Sequence, residues 1–335
     1  MNTIKVSLLV ILFIVLSFYV NAQLKPLNQY GIKHIKFLYK TDTVNILVQN
    51  KLGEENIAKP LFLFCQGSGS QPLIKLEGNL MYGIYPFSTK AILAKYHVVI
   101  IGKPFVPLIM DKKNCGVDFS FLDSAGMENK NYTDRNNLSY YVNRNKAVLE
   151  YLGKQPNIKN NKLVVAGHSE GSTIVAQLAT NYKKITHVIY AGGNPFGRII
   201  TMIGGARTVE NDSTHYAENA FEFWEKIVAN PNATDLTTGN SNKTTWEFSK
   251  LQINNLSNLK IPVLVTYGTK DDVRPFCDYF RVKTITEKKK NIYFKAYLNA
   301  DHNFFTLKPD GKPDYENGFG WDKVAYYWLT WLDSH

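Results

Sequence analysis

Short apolar runs rich in β-branched residues alternate along the chain with longer segments whose apolar positions recur at helical spacing. The short runs are HIKFLY, VNILVQ, PLFLFC, YHVVIIG, KLVVAG, THVIYAGG, IPVLVTYG and NIYFKAYL. Their length suits strands, and their near-continuous apolar character suits strands covered on both faces. A short polar link joins the first two, which predicts a hairpin; the others stand far enough apart for crossovers. Between them, YYVNRNKAVLEYLGK, STIVAQLATNY and GWDKVAYYWLTWLDS carry the helical period. In the last of these Trp321, Val324, Trp328 and Trp331 recur at steps of three and four, so one face of that helix should lie on the sheet. The pattern predicts an α/β fold: a doubly wound, mostly parallel sheet with helices on both faces.

Two stretches interrupt the alternation, and neither is a repeat or a low-complexity tract. Residues 193–259, partly helical and partly polar and turn-rich, form an insertion too long for a simple connection. Insertions of this kind often serve as a lid or cap over a site. Residues 103–137, after YHVVIIG, are likewise too long and irregular.

Residues 1–22 stand apart from the rest: one early lysine, an unbroken apolar run, then Val20-Asn21-Ala22. That layout predicts a signal peptide cleaved after Ala22, a domain over residues 23–335, and a secreted or periplasmic location. The alternative is an uncleaved anchor helix, but the apolar run is short for a span and no basic cluster follows it. No stable membrane insertion is expected after cleavage. With 335 residues, 44% hydrophobic and 20% charged, the full chain suits a globular protein of one large domain or two smaller ones.

The net charge of +11 raises nucleic-acid binding as an option. The lysines are scattered, however, and the densest run, EKKKN from Glu287, reads as a solvated helix end, so no nucleic-acid partner is expected. Cys65, Cys115 and Cys277 are too few and too irregular for a disulfide framework, though one pair and a free thiol would suit an oxidising compartment. No cysteine or histidine pair has ligand spacing, so no metal is expected.

The stretch KLVVAGHSEGSTIVAQLA carries the chemistry. A strand that enters a helix through a very tight turn forces the central residue into a strained conformation, and flanking glycines let neighbouring backbone approach. Here Gly167 and Gly171 flank Ser169, with a strand pattern before and a helix pattern after. Ser169 is therefore a candidate nucleophile; the plainer alternative is a helix N-cap. A serine hydroxyl needs a base, and the base needs an orienting carboxylate. Of seven histidines, His34, His97 and His187 lie in or beside strands, His168 is inside the motif, His215 is in the insertion and His335 ends the chain. Only His302 follows a late strand and so reaches the same sheet edge as Ser169. Adjacent Asp271 and Asp272, after IPVLVTYG, supply the acid in the expected chain order; a cap of the next helix would be the other use of either.

Acyl transfer also needs backbone N–H donors where the oxyanion forms. The Glu170 amide, directly after the serine, is one. The QGSGS loop after PLFLFC supplies the other, with Ser68 as donor. A phosphate-cradling role for that loop is weak, because no lysine and no helix follow at the required place.

These residues resemble the α/β-hydrolase superfamily over nearly all of the mature chain. GHSEG looks like its nucleophile elbow, YGTKDDVRP like its Gly-X-X-Asp loop with a proline four residues later, and ADHNF like its histidine loop. The loop pattern implies that Asp271, not Asp272, is the acid. The elbow is similar to those of secreted bacterial esterases and of prolyl-oligopeptidase-like or dienelactone-hydrolase-like members, which implies cleavage of esters, thioesters or short amides without a cofactor. The family commonly has His-Gly in the oxyanion loop where this chain has Gln66-Gly67, and the segment after VVIIG lacks the family's acidic and Arg-Gly pattern.

The expectation is an exported serine hydrolase acting on a small ester, thioester or short peptide. Ser169 would attack, His302 would shuttle the proton, Asp271 would orient it, and the Ser68 and Glu170 amides would hold the oxyanion. Gln66, Phe196, Trp224 and Trp246, with Phe221 and Phe223, are expected to touch substrate, unless the insertion's aromatics form a core of their own. A serine peptidase or acyltransferase would use the same triad; a non-catalytic binding protein on this fold is the alternative of another class.

Overall fold

The computed structural model describes residues 26–78, 80–235 and 240–335; the leader expected at residues 1–22 lies outside them. The strands are β1 (Ile32–Tyr39), β2 (Asp42–Gln49), β3 (Lys59–Cys65), β4 (Ile74–Glu77), β5 (Leu80–Tyr82), β6 (His97–Ile101), β7 (Ile109–Asp111), β8 (Ile158–His168), β9 (His187–Ala191), β10 (Val263–Gly268) and β11 (Ile292–Tyr297). The α-helices are α1 (Lys90–Leu93), α2 (Lys130–Arg135), α3 (Leu138–Leu152), α4 (Glu170–Asn181), α5 (Arg198–Val209), α6 (Tyr216–Ala229), α7 (Asn242–Phe248), α8 (Ile253–Asn258), α9 (Arg274–Thr286) and α10 (Trp321–Ser334).

All eight apolar runs are strands of one eight-stranded sheet, in the order β1-β2-β6-β3-β8-β9-β10-β11. β2 is antiparallel to both β1 and β6, and the remaining pairs are parallel. Side chains alternate across the sheet and build a core on each face. Leu61, Leu63 and Cys65 of β3 face a cluster with Val142 and Leu149 of α3, Ile174 and Leu178 of α4, and Phe280 of α9. Phe62 and Phe64 face the other way, onto Ile92 of α1 and Trp321, Val324 and Trp328 of α10. The recurring tryptophans of the last helix are thus core residues, as their spacing predicts.

The 103–137 stretch departs from a plain connection, because it closes a second, three-stranded sheet in the order β5-β4-β7. Its strands span only three or four residues, too few to leave a periodic signature. The 193–259 insertion carries α5 to α8. All three cysteines are free, with Cys65 and Cys277 buried, so the disulfide that composition allowed is not formed. No helix among the described residues is long and apolar enough to cross a membrane.

Candidate active site

The turn between β8 and α4 places Ser169 at φ 55° and ψ −121°, a conformation that costs a non-glycine residue about 1–3 kcal/mol. Neighbouring backbone holds it there. The Ser169 N–H donates to the Ala191 carbonyl at 2.9 Å, and the Ser169 carbonyl accepts from the Ser172 N–H at 3.0 Å and hydroxyl at 2.6 Å. Both flanking glycines are sterically required: a Cβ on Gly167 would stand 2.1 Å from the Gly171 carbonyl oxygen, and one on Gly171 would stand 2.0 Å from that of Cys65.

Three loops at the carboxyl ends of β8, β10 and β11 meet at this turn. The Ser169 Oγ lies 3.0 Å from His302 Nε2, and His302 Nδ1 lies 2.9 Å from Asp271 Oδ2. The other Asp271 oxygen accepts from the Val273 N–H at 3.1 Å, which fixes the carboxylate. Asp271 is buried and Asp272 exposed, so of the adjacent pair only Asp271 is positioned to orient the imidazole. Gly268 lets the loops after β10 and β11 touch, since a Cβ there would meet the Ala300 oxygen at 2.2 Å.

Two histidines sit side by side with ring centres 4.9 Å apart, and their environments push them in opposite directions. Burial disfavours charge on His302, but the Asp271 carboxylate on Nδ1, helped by Asp301 and Asp272, outweighs it and raises the pKa above the ordinary histidine value. His168 has no such partner; burial, with the charge of His302 beside it, lowers its pKa to about 3. His168 stays neutral and supports its neighbour, donating from Nε2 to the His302 carbonyl at 2.9 Å.

Beside Ser169 opens a cleft of about 610 Å³. Gln66, Gly67 and Ser68 of the glycine-rich loop line it, as do His168 and His302. Lys75 of β4, Tyr85, Phe119 and Trp321 line it too. Among the described residues, none of those lining it comes from 193–259, so the insertion's aromatics stand outside this cleft rather than in the pocket expected of them. Phe196 packs instead on Phe276 and Tyr279 of α9, at 5.8 and 5.6 Å between ring centres. Trp224 stacks on Trp246 at 5.3 Å within the insertion, and Phe221 is exposed. Trp224 of α6 and Trp246 of α7 are thus half-buried against each other, while the small sheet brings Lys75 to the cleft.

Residues 137–275 match a family model described as BAAT / acyl-CoA thioester hydrolase C terminal. That span runs from the start of α3 into α9 and holds Ser169 and Asp271, while His302 follows it. Among solved structures, a Pyrococcus horikoshii acylaminoacyl peptidase superposes on 90% of this chain at TM-score 0.54 and 12% identity. The chain spans only 40% of that protein's length. Porphyromonas gingivalis dipeptidyl peptidase 4 gives TM-score 0.52 at 12% identity, over 91% of this chain and 35% of its own. A fungal esterase from Rhizomucor miehei gives TM-score 0.52 at 16% identity, over 91% of this chain and 84% of its own. The fold is that of the α/β-hydrolase superfamily. No curated protein matches the sequence.

A buried charge cluster lies directly beside the elbow. Glu170, the first residue of α4, turns its buried carboxylate inward to Lys103 Nζ at 2.7 Å and Arg198 Nη2 at 2.5 Å. Burial works against the Glu170 charge, and the two cations outweigh it, holding its pKa below the ordinary carboxylate value. Losing one partner of such a buried pair generally costs about 3–5 kcal/mol. Arg144, also buried, donates to the Gly102 carbonyl at 2.9 Å and to Asn145, with no carboxylate partner among the described residues. Positive charge therefore predominates behind the loops that carry Ser169 and Gln66. Sequence reading anticipated only the Glu170 amide, because Lys103, Arg144 and Arg198 lie far apart along the chain and share no spacing.

Proposed function

We propose that the chain is a serine hydrolase that cleaves a carboxylic ester or thioester through an acyl-enzyme. The observation that carries this reading is the continuous hydrogen-bonded path Asp271–His302–Ser169, ending on a hydroxyl that faces the cleft. His302 takes the Ser169 proton as Oγ attacks the carbonyl carbon, then returns it to the departing alkoxide or thiolate. Asp271 holds the imidazole with Nε2 free to accept and stabilises the cation that forms. The oxyanion is held by the Glu170 amide, at a helix start where N–H groups lack intrahelical partners, and by the Ser68 amide. Water activated by His302 then releases the acyl group. The thioester hydrolase family model across the elbow supports including thioesters. Export of a chain beginning at residue 23 belongs to the same proposal and rests on the pattern of residues 1–22.

A fluorophosphonate probe tests the reading. It should label the protein stoichiometrically, with the adduct mapped to Ser169, and nitrophenyl esters and acyl thioesters should be hydrolysed well ahead of aminoacyl anilides. A protein that resists the probe at neutral pH is not a serine hydrolase; one that prefers the anilides is a peptidase.

The pH profile follows from His302. It must be neutral to accept the proton, and its folded pKa is raised, so kcat/KM should climb with pH through a midpoint above the ordinary histidine value. His168 cannot supply that limb, because its pKa is near 3. A limb displaced to acid of free histidine would contradict the Asp271 pairing.

A further inference from the structure

The cleft that holds Ser169 is also lined by a lysine that has no carboxylate partner among the described residues. Lys75 sits at the centre of the small sheet, between Tyr82 of β5 and Met110 of β7, and is 6% exposed. Its ammonium makes no hydrogen bond or ion pair among the described residues; it lies over the face of Phe119, 5.5 Å from the ring centre, with the half-buried Cys115 thiol as a second neighbour. Asp118 also lines the cleft, but it is exposed and makes no ion pair with Lys75. Gly83 keeps space beside the ammonium: a Cβ there, at φ +92°, would stand 3.1 Å from Nζ. The Gln66 carboxamide lies in the same cleft, and its buried nitrogen has no hydrogen-bond partner among the described residues.

Lysine is almost never buried without a counter-charge, because removing an ammonium from water is costly. A helix or strand surface would let the chain snorkel outward; here the side chain is held inside the wall of the cleft that contains Ser169. We propose that Lys75 is a specificity residue that binds an anionic group, a carboxylate or phosphate, on the substrate, with the Gln66 carboxamide as an accessory donor. This rests on the serine hydrolase reading and narrows it: the substrate is a charged ester or thioester rather than a neutral lipid-like one. Burial pulls the Lys75 pKa down. An arriving anion reverses that tendency and completes the pair, whereas a neutral substrate leaves the ammonium stranded and dehydrated.

Two matched ester pairs test this on the full mature chain. In the first, nitrophenyl hemiglutarate is compared with the nitrophenyl ester of its monomethyl ester. In the second, the charge moves to the leaving group: butyryl 4-hydroxybenzoate against butyryl methyl 4-hydroxybenzoate. The wild type should prefer the anionic member of at least one pair by about ten-fold in kcat/KM, the worth of a charge-assisted hydrogen bond. The pair that responds tells whether the acyl or the leaving side meets Lys75. Lys75→Met, which keeps the length of the stem, should bring the ratio within about two-fold of unity. Added salt should shrink the wild-type preference, an effect that needs no variant. Equal rates for both members of both pairs, or a preference untouched by Lys75→Met in a protein with a wild-type melting curve, overturns the proposal. If Ser169 also resists the fluorophosphonate, the serine hydrolase reading fails instead; if Ser169 labels and charge makes no difference, only the Lys75 assignment fails.

Discussion

Ser169→Ala is expected to lower kcat for the best nitrophenyl ester by about 10⁶ and to abolish fluorophosphonate labelling, while the protein still folds. The hydroxyl projects from a turn held by main-chain hydrogen bonds to Ala191 and Ser172, none of which uses its Oγ as donor. Removing it breaks only the 3.0 Å contact to His302. The proposed mechanism uses the serine and the imidazole as one unit, so the Ser169→Ala/His302→Ala double variant should be no slower than either single variant. Retention of more than about a hundredth of wild-type activity in Ser169→Ala would remove the serine from the reaction. The check is steady-state hydrolysis beside a circular-dichroism melt.

Gly171→Ala should have the largest effect on the fold itself. The new methyl would lie 2.0 Å from the Cys65 oxygen, 2.6 Å from its carbon and 2.8 Å from the Gln66 oxygen, all of them main-chain atoms. No side-chain rotation relieves such an overlap, so either α4 or the end of β3 must move. β3 lies in the middle of the sheet between β6 and β8, and α4 packs in its core, so both alternatives open the interior. A loss above about 4 kcal/mol, or insoluble protein, is expected. Gly204→Ala provides the contrast, since nothing lies within 4 Å of a Cβ at that position inside α5. It should be neutral or stabilising by up to about 1 kcal/mol. Urea melts of the two variants make the comparison, and a Gly171→Ala protein as stable as wild type would contradict the packing of the elbow on β3.

Both effects trace to features that local sequence exposes. An apolar run of five to eight residues reports a strand whether or not its neighbours are known, because burial on both faces leaves no room for polar side chains. Each of the eight runs accordingly became a strand of the main sheet. The elbow was legible for a similar reason: strand, glycine, serine, glycine and helix are contiguous, so their steric demand is written within eighteen residues of the chain. His302 could be singled out among the histidines because loops that follow parallel strands share one edge.

Only the folded chain decided what depends on contact between distant segments. The residues alone left Asp271 and Asp272 both open, and only the family resemblance favoured Asp271; the fold turns that carboxylate toward His302 and the other toward solvent. The aromatics of 193–259 found one another, or α9, instead of the cleft; their sequence gave apolar character without direction. The small sheet is built from strands of three or four residues, too short for a period to appear, and it brings Lys75 to the cleft from a position with no motif around it. The sequence by itself determined the sheet, the strained serine and its histidine, since these follow from local sterics and from strand direction. Tertiary structure decided which side chains surround the cleft and which charges lie beside the elbow, because those neighbours are set by packing between segments that no local pattern links.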